Sequence, residues 1–212
     1  AETEPIPSSA SDISALESDG LRLYADGKRY RTYSGYLKEI FGCRVHKVSL
    51  DAGFSCPNRD GALGRGGCVY CSNSGFSFNT AAGLRDISLQ LEHGRQYMRQ
   101  RFGAEKFIAY FQAYSSTYAP PGRLRELFDL ALDHPEMAGL SVSTRPDCVP
   151  DEVLDLLAGY CRRVLTWLEL GLQSASDATL ARINRCHTVA DFADAARRAA
   201  LRGIPVDRKS VV

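Results

Sequence analysis

"VHKVSLDAGFSCPNRDGALGRGGCVYC", residues 45–71, joins a β-rich run to a glycine-studded loop that carries Cys56, Cys68 and Cys71. The run from Val45 to Phe54 reads as a first strand. The cysteines fall in the loop directly after it, at the edge of the sheet where α/β folds assemble their sites. Their spacing is Cys-x11-Cys-x2-Cys, and Gly61, Gly64, Gly66 and Gly67 let the backbone fold tightly around something the thiolates hold in common. A structural zinc ion needs four ligands, and Cys43, His46 or His93 could supply the fourth. A four-iron cluster tied by three cysteines leaves one iron open for a small ligand, which suits a catalytic rim. Spacing alone leaves both metals standing. Seven cysteines, an odd number at irregular spacing, fit reduced thiols or metal ligands better than a disulfide scaffold.

Beyond the loop, helical and strand patterns alternate. "GLRDISLQLEHGRQYMRQRFG" (83–103) sets Leu84, Ile87, Leu91, Met98 and Phe102 along one helical face, and "KFIAYFQAY" (106–114) reads as a second strand. A helix over 121–135 with Leu124, Leu127, Phe128 and Ala131 at helical spacing leads to a third strand, "AGLSVST" (138–144). A helix that starts at Pro150 leads to a fourth, "TWLELGLQS" (166–174). "SDATLARIN" then runs into "TVADFADAARRAALRG", where Thr188 and Asp191 have capping-box spacing and Gly203 stands where a C′ glycine would, before "IPV" begins a fifth strand. This alternation implies parallel βαβ units, hence an α/β fold: a (β/α) barrel or an open doubly wound sheet. The chain stops at "DRKSVV" with no helix behind the fifth strand, so a barrel would be incomplete at its C-terminal side.

Three segments follow: residues 1–20, an acidic tail expected to be disordered; residues 21–44, a basic and aromatic arm; and residues 45–212, the α/β domain. Lys28, Arg29, Arg31, Lys38, Arg44 and Lys47 lie among Tyr24, Tyr30, Tyr33 and Tyr36. Basic residues beside aromatics could hold RNA, but a short helix lying against the domain is the preferred expectation. Twenty-six Lys and Arg nearly balance twenty-five Asp and Glu, so net charge neither demands nor forbids a nucleic-acid partner. No apolar run of membrane-spanning length and no secretory leader pattern occurs, which makes the cytoplasm the expected compartment and a membrane an unexpected partner.

Five stretches in order, "KVSLDAGFSCPNRDG", "GGCVYC", "STRPDCVPDEVLDLLA", "LELGLQS" and "INRCH", resemble the radical S-adenosylmethionine (SAM) superfamily, in particular its bacterial branch related to the catalytic subunit of elongator. The resemblance runs from about Gly27 to Gly203. The family's usual cysteine gaps are three residues and then two, with an aromatic residue before the last cysteine. Tyr70 fills that aromatic place, and the first gap of eleven is a longer loop that this branch shares.

The resemblance implies a partial (β/α) TIM-like barrel, ending here after about five strands. It implies that Cys56, Cys68 and Cys71 hold a [4Fe–4S] cluster, that SAM chelates the open iron, and that an external electron donor drives its cleavage to a 5′-deoxyadenosyl radical that takes hydrogen from a substrate. Relatives in the elongator branch act on transfer RNA, which makes tRNA the substrate class it suggests. Binding groups for SAM are expected at strand ends: Gln112, Ser115 and Ser116 in "FQAYSSTY", where the family often has a Gly-Gly-Glu-like turn; Arg145 and Asp147 in "STRPD"; Glu169, Gln173 and Ser174; and Tyr70 beside the cysteines. For the strand-end groups an internal ion pair or a satisfied polar layer is the alternative. In "INRCH" Cys186 replaces the family's glycine, with strain expected if that position has positive φ, and His187 is expected to finish a turn. Cys43, Cys148 and Cys161 read as packing residues. Two rivals to the enzyme are a non-catalytic zinc or iron–sulfur module for nucleic acid and an inactive, truncated radical SAM remnant.

Overall fold

The computed structural model describes residues 29–72 and 78–210. The acidic tail, Tyr24 and Lys28 lie outside the described residues. Five strands, β1 (Val45–Leu50), β2 (Lys106–Phe111), β3 (Met137–Thr144), β4 (Leu165–Gln173) and β5 (Val206–Ser210), form one sheet in sequence order. Every pairing is parallel, from Val45 beside Lys106 to Gln173 beside Ser210, and the sheet is open between β1 and β5. Helices α1 (Tyr33–Phe41), α2 (Pro57–Asp60), α3 (Phe78–Ala82), α4 (Ile87–Phe102), α5 (Pro121–Leu132), α6 (Asp151–Cys161), α7 (Asp177–Arg182) and α8 (Val189–Leu201) fill the connections.

Side chains alternate across each strand, so the sheet has two different faces. Val48, Leu50, Phe107, Phe111, Leu140, Val142, Leu168 and Leu170 point toward the helices and form the main core with Leu91, Leu124, Phe128, Leu154, Leu157 and Ala199. Phe128 meets Phe111 and Tyr160 edge-on, with ring centroids 5.0 and 5.8 Å away. Gly94 lets α4 lie close on β1, since a Cβ there would come within 2.3 Å of Val48 Cγ1. The other, inner face begins with Val45, Ile108 and Leu165, which pack with fully buried Leu37 of α1.

The segment proposed as an arm is therefore, over α1, a plug under the sheet. Thr32 caps it by accepting from Gly35 N at 3.0 Å, and Gly42 at φ 70° ends it. Tyr33 and Tyr36 lie 5.8 and 6.2 Å from Trp167, and Lys47 reaches inward to Glu169. Lys47 is thus spent on an internal ion pair and the two tyrosines on packing against Trp167, with Tyr33 still 46% exposed. Leu37→Ala should cost about 2–5 kcal/mol of stability, read by urea unfolding, because it empties the contact that seals the base.

Helix starts follow the sequence with small shifts, one residue for α6 and four for α4. Asp86 accepts from Leu89 N at 2.9 Å and starts α4, so Leu84 falls outside it. Thr188 and Asp191 form the expected capping box of α8, and Gly203 has φ 69°. No helix among the described residues is long and apolar enough to cross a membrane.

Candidate active site

The loop after β1 opens with Cys56 in extended conformation and Pro57 at the first position of α2, which Gly61 ends at φ 97°. Asn58, fully buried, donates from Nδ2 to the Asn184 carbonyl and, at 3.5 Å, to Cys68 Sγ. Arg59 reaches the Cys71 carbonyl at 2.8 Å. From the far end of the chain Asn184 Nδ2 donates to Gly67 O at 2.8 Å, Val69 N donates to Ile183 O at 3.1 Å, and Arg185 Nη1 lies 3.6 Å from Cys68 Sγ. "INRCH" is thus the staple that folds the cysteine loop. Close packing, beyond backbone freedom, explains two of its glycines. A Cβ on Gly64 would lie 2.3 Å from Asn58 Oδ1, and one on Gly67 would lie 2.8 Å from Arg59 Nε.

Cys56, Cys68 and Cys71 wall one cavity of about 520 Å³ at the C-terminal end of the strands, within the range of small-molecule sites, roughly 300–1,000 Å³. Tyr70, Gln112, Ser115, Arg145 and Gln173, all expected at the site, line the same space. Among the described residues, no three His, Cys, Asp or Glu side chains converge as ligands of a single metal ion. Cys43 and His46, considered as fourth zinc ligands, sit at the opposite end of β1 from the loop, where Cys43 packs beside Leu37 and His46 stacks on Phe102 at 4.7 Å.

Other expected residues take different places. Arg145, 2% exposed, forks onto Asp147 through Nε and Nη2, each bond 2.9 Å, and donates from Nη1 to Arg185 O at 2.9 Å. The internal ion pair anticipated for it is present, at the edge of the cavity it also lines. Glu169 sits one layer below the cysteine cavity. Its carboxylate accepts from Lys47, from the Tyr110 hydroxyl at 2.8 Å and from Ser141 at 3.0 Å, with Lys209 Nζ at 3.6 Å. It lines a lower cavity with Tyr33, Tyr36 and Trp167 instead. This is the satisfied polar layer, and direct contact of Glu169 with a ligand in the upper cavity is not what the geometry offers.

Gln173 is the reverse case. It ends β4 at φ 70°, is 9% exposed, lines the cavity, and its buried Oε1 has no hydrogen-bond partner among the described residues. Ser115 Oγ, fully buried, finds only the weak Cys148 thiol. Gly171 makes the room for this wall: a Cβ there would come within 2.5 Å of Gln173 Nε2 and 2.7 Å of Arg185 Nη2.

Burial pushes the Cys68 thiol up, but the hydrogen bond and charge of Arg185, with bonds from Tyr70 and Asn58, reverse this and hold it below the ordinary thiol value. Cys148 goes the other way: burial, then the Asp147 charge, push it up to about 12. Burial and the neighbouring Arg185 lower His187, leaving a neutral ring. Its Nε2 accepts from Arg185 Nε at 2.8 Å and Nδ1–H donates to Thr188 O at 3.1 Å, so His187 finishes the turn and braces Arg185.

Sequence reasoning passed over Asn58, Arg59, Tyr110, Tyr114, Ser143 and Arg185. Arg185 and Asn58 stood inside quoted motifs, yet only the fold shows that Asn58 meets Asn184, 126 positions away, and that Arg185 meets Cys68, 117 away. Tyr114, at φ 61°, turns the chain out of β2 and lines the cavity beside Arg59. Cys186 has φ 56°, the left-handed region expected for a glycine. Cys186→Gly should stabilise the fold by about 1 kcal/mol in urea unfolding, since a side chain there costs roughly 1–2 kcal/mol in that conformation.

An open parallel sheet with a cysteine-bearing loop above β1 defines the class, and the comparisons supply the family. The profile of the radical SAM superfamily matches residues 61–212, and the chain belongs to that family. It is 41% identical to the uncharacterized protein YtqA of Bacillus subtilis over 84% of this chain and 56% of that protein. It is 45% identical to the protein YhcC of Escherichia coli over 84% of this chain and 57% of that protein. The chain thus spans a little over half the length of these curated relatives. The solved structure of archaeal Elp3 from Methanocaldococcus infernus aligns with TM-score 0.50 at 18% identity, covering 77% of this chain and 37% of that one, a likeness of fold.

Proposed function

We propose that this chain is the core of a radical SAM enzyme in which Cys56, Cys68 and Cys71 hold a [4Fe–4S] cluster and the cavity beside them binds SAM. When bound, the pair supplies one-electron cleavage of the sulfonium and hydrogen abstraction from a substrate, on an electron from an external donor. The observation that carries the reading is the meeting of the three cysteines with an unpartnered, buried Gln173 Oε1 on one wall. A cluster is held by several thiolates at once, and the three cysteines line one cavity of a size for a small molecule.

The chain's own groups divide the work. Gln173 Oε1 and Ser115 Oγ accept hydrogen bonds from the amino group or ribose of the cofactor, and Gln112 and Tyr70 flank them. Arg145, held by Asp147, fixes the backbone of Arg185 and hence the staple behind the loop. Tyr110, tied to Glu169, closes the floor and keeps water out of the upper space. The tRNA assignment rests on the resemblance to the elongator branch, with exposed Tyr30 as a surface group of the arm.

Anaerobic reconstitution with iron and sulfide, followed by SAM and a strong reductant, should yield a brown protein and 5′-deoxyadenosine. A zinc or cluster module without catalysis would bind metal and leave SAM intact. Transfer RNA added to the same mixture should be modified at a nucleotide detectable by mass, and an unmodified pool with continued 5′-deoxyadenosine release would reject tRNA alone.

A further inference from the structure

Arg185 is a buried cation without a carboxylate. It is 7% exposed, and its donors go to Gly171 O at 2.9 Å, His187 Nε2 at 2.8 Å and Cys68 Sγ at 3.6 Å. The other buried Asp, Glu, Lys and Arg side chains among the described residues are matched: Arg145 by Asp147, Glu169 by Lys47, Asp51 by Arg85. An unmatched guanidinium in the interior is costly unless negative charge is brought to it, and among the described residues the acidic groups beside it are the Cys68 thiol, which it reaches with a hydrogen bond, and the Tyr70 hydroxyl bonded to that thiol. The same sulfur accepts from Asn58 Nδ2 at 3.5 Å, so two N–H donors from different segments meet at Cys68, while Arg59 serves Cys71. The arginine is also locked in place. His187 accepts from its Nε, Arg145 holds its carbonyl, and the missing Cβ of Gly171 admits its Nη2.

We propose that Arg185 is the positioning residue that sets the reduction potential of the cluster, acting through Cys68, with His187 as its clamp. The inference rests on the cluster reading above. Iron–sulfur potentials follow net charge, hydrogen bonds to the ligand sulfurs and exposure to solvent. A fixed positive charge with an N–H aimed at one sulfur favours the reduced, more negative cluster and so eases the electron's entry.

The test is a mediated redox titration, followed by electron paramagnetic resonance, of wild type, Arg185→Gln, Arg185→Lys and His187→Ala, each reconstituted and assayed for iron. In Arg185→Gln the ratio of reduced to oxidised cluster at a fixed potential should fall about tenfold, equal to about 59 mV for one electron. Arg185→Lys should keep most of the wild-type ratio, and His187→Ala should shift the same way by less. A fully loaded Arg185→Gln with the wild-type potential overturns the proposal, as does Arg185→Lys falling as far as Gln. If Arg185→Gln takes up no iron, His187→Ala decides, and an unshifted potential there counts against it. A wild-type protein that takes up no cluster is a different failure, one that removes the cluster reading itself.

Discussion

Serine in place of Cys56, Cys68 or Cys71, one at a time, should drop reconstituted iron and 5′-deoxyadenosine formation to background. An alcohol is a far poorer ligand for iron than a thiolate, and a cluster with one protein bond lost has solvent at two corners. The loss should be large in each variant because Cys43 packs under the sheet with Leu37 and Cys161 packs against the helix-side core, while Cys186, exposed in the staple beside Gly64, is the thiol to replace alongside as a control. Cys148 is the sharpest control. It is 4% exposed, and burial beside Asp147 holds its thiol neutral, as suits packing and not ligation. Alanine at Cys43, Cys148 or Cys161 should keep full iron content per folded chain. Iron retained after Cys68→Ser, or lost after Cys148→Ala in a folded protein, would contradict the assignment.

The fold was legible where each level of the sequence agreed. Strands β2 to β4 are almost entirely buried, because helices cover their apolar face and α1 with a paired polar layer fills the other, and such runs stand out against amphipathic helices. Strand ends were less legible. The runs read as ending at Phe54 and Tyr114 stop at Leu50 and Phe111, because a buried Asp51, which accepts from Gly53 N at 2.8 Å and pairs with Arg85, and the positive φ of Tyr114 turn the chain out of the sheet. The reverse happened at the fifth strand, where "DRKS" reads as a polar tail yet forms ladder partners for Glu169 to Gln173. In the site, local motifs gave the cysteines, and resemblance gave Gln173. Glu169 was placed on the correct strand, but its depth could not be read, since whether a strand carboxylate faces a cavity or an ion pair depends on Lys47 and Tyr110, residues from two other strands. Arg185 was missed for the same reason, its partner being 117 positions away.

Glu169→Gln should destabilise the fold by about 3 kcal/mol at pH 7, the scale expected when one partner of a buried ion pair is removed. Glu169 is 1% exposed and neutralises Lys47, with Lys209 at 3.6 Å. The amide keeps the shape and an acceptor for Tyr110 but leaves the ammonium groups facing a neutral side chain. Burial alone would raise the carboxyl, yet the Lys47 hydrogen bond and charge, then Tyr110 and Lys209, hold it below the ordinary glutamate value. A group depressed in the folded state contributes stability that is fully present above its unfolded pKa, about 4.3, and fades as pH falls through the folded value. The gap between wild type and Glu169→Gln should therefore be constant from pH 6 to pH 8 and narrow below about pH 4. Urea unfolding of both proteins across that range checks it, and a gap that does not narrow in acid would show that Glu169 acts by shape instead of charge. Because Glu169 lies under the cysteine cavity and not in its wall, the folded variant should still take up iron, which separates the layer that supports the site from the residues that form it.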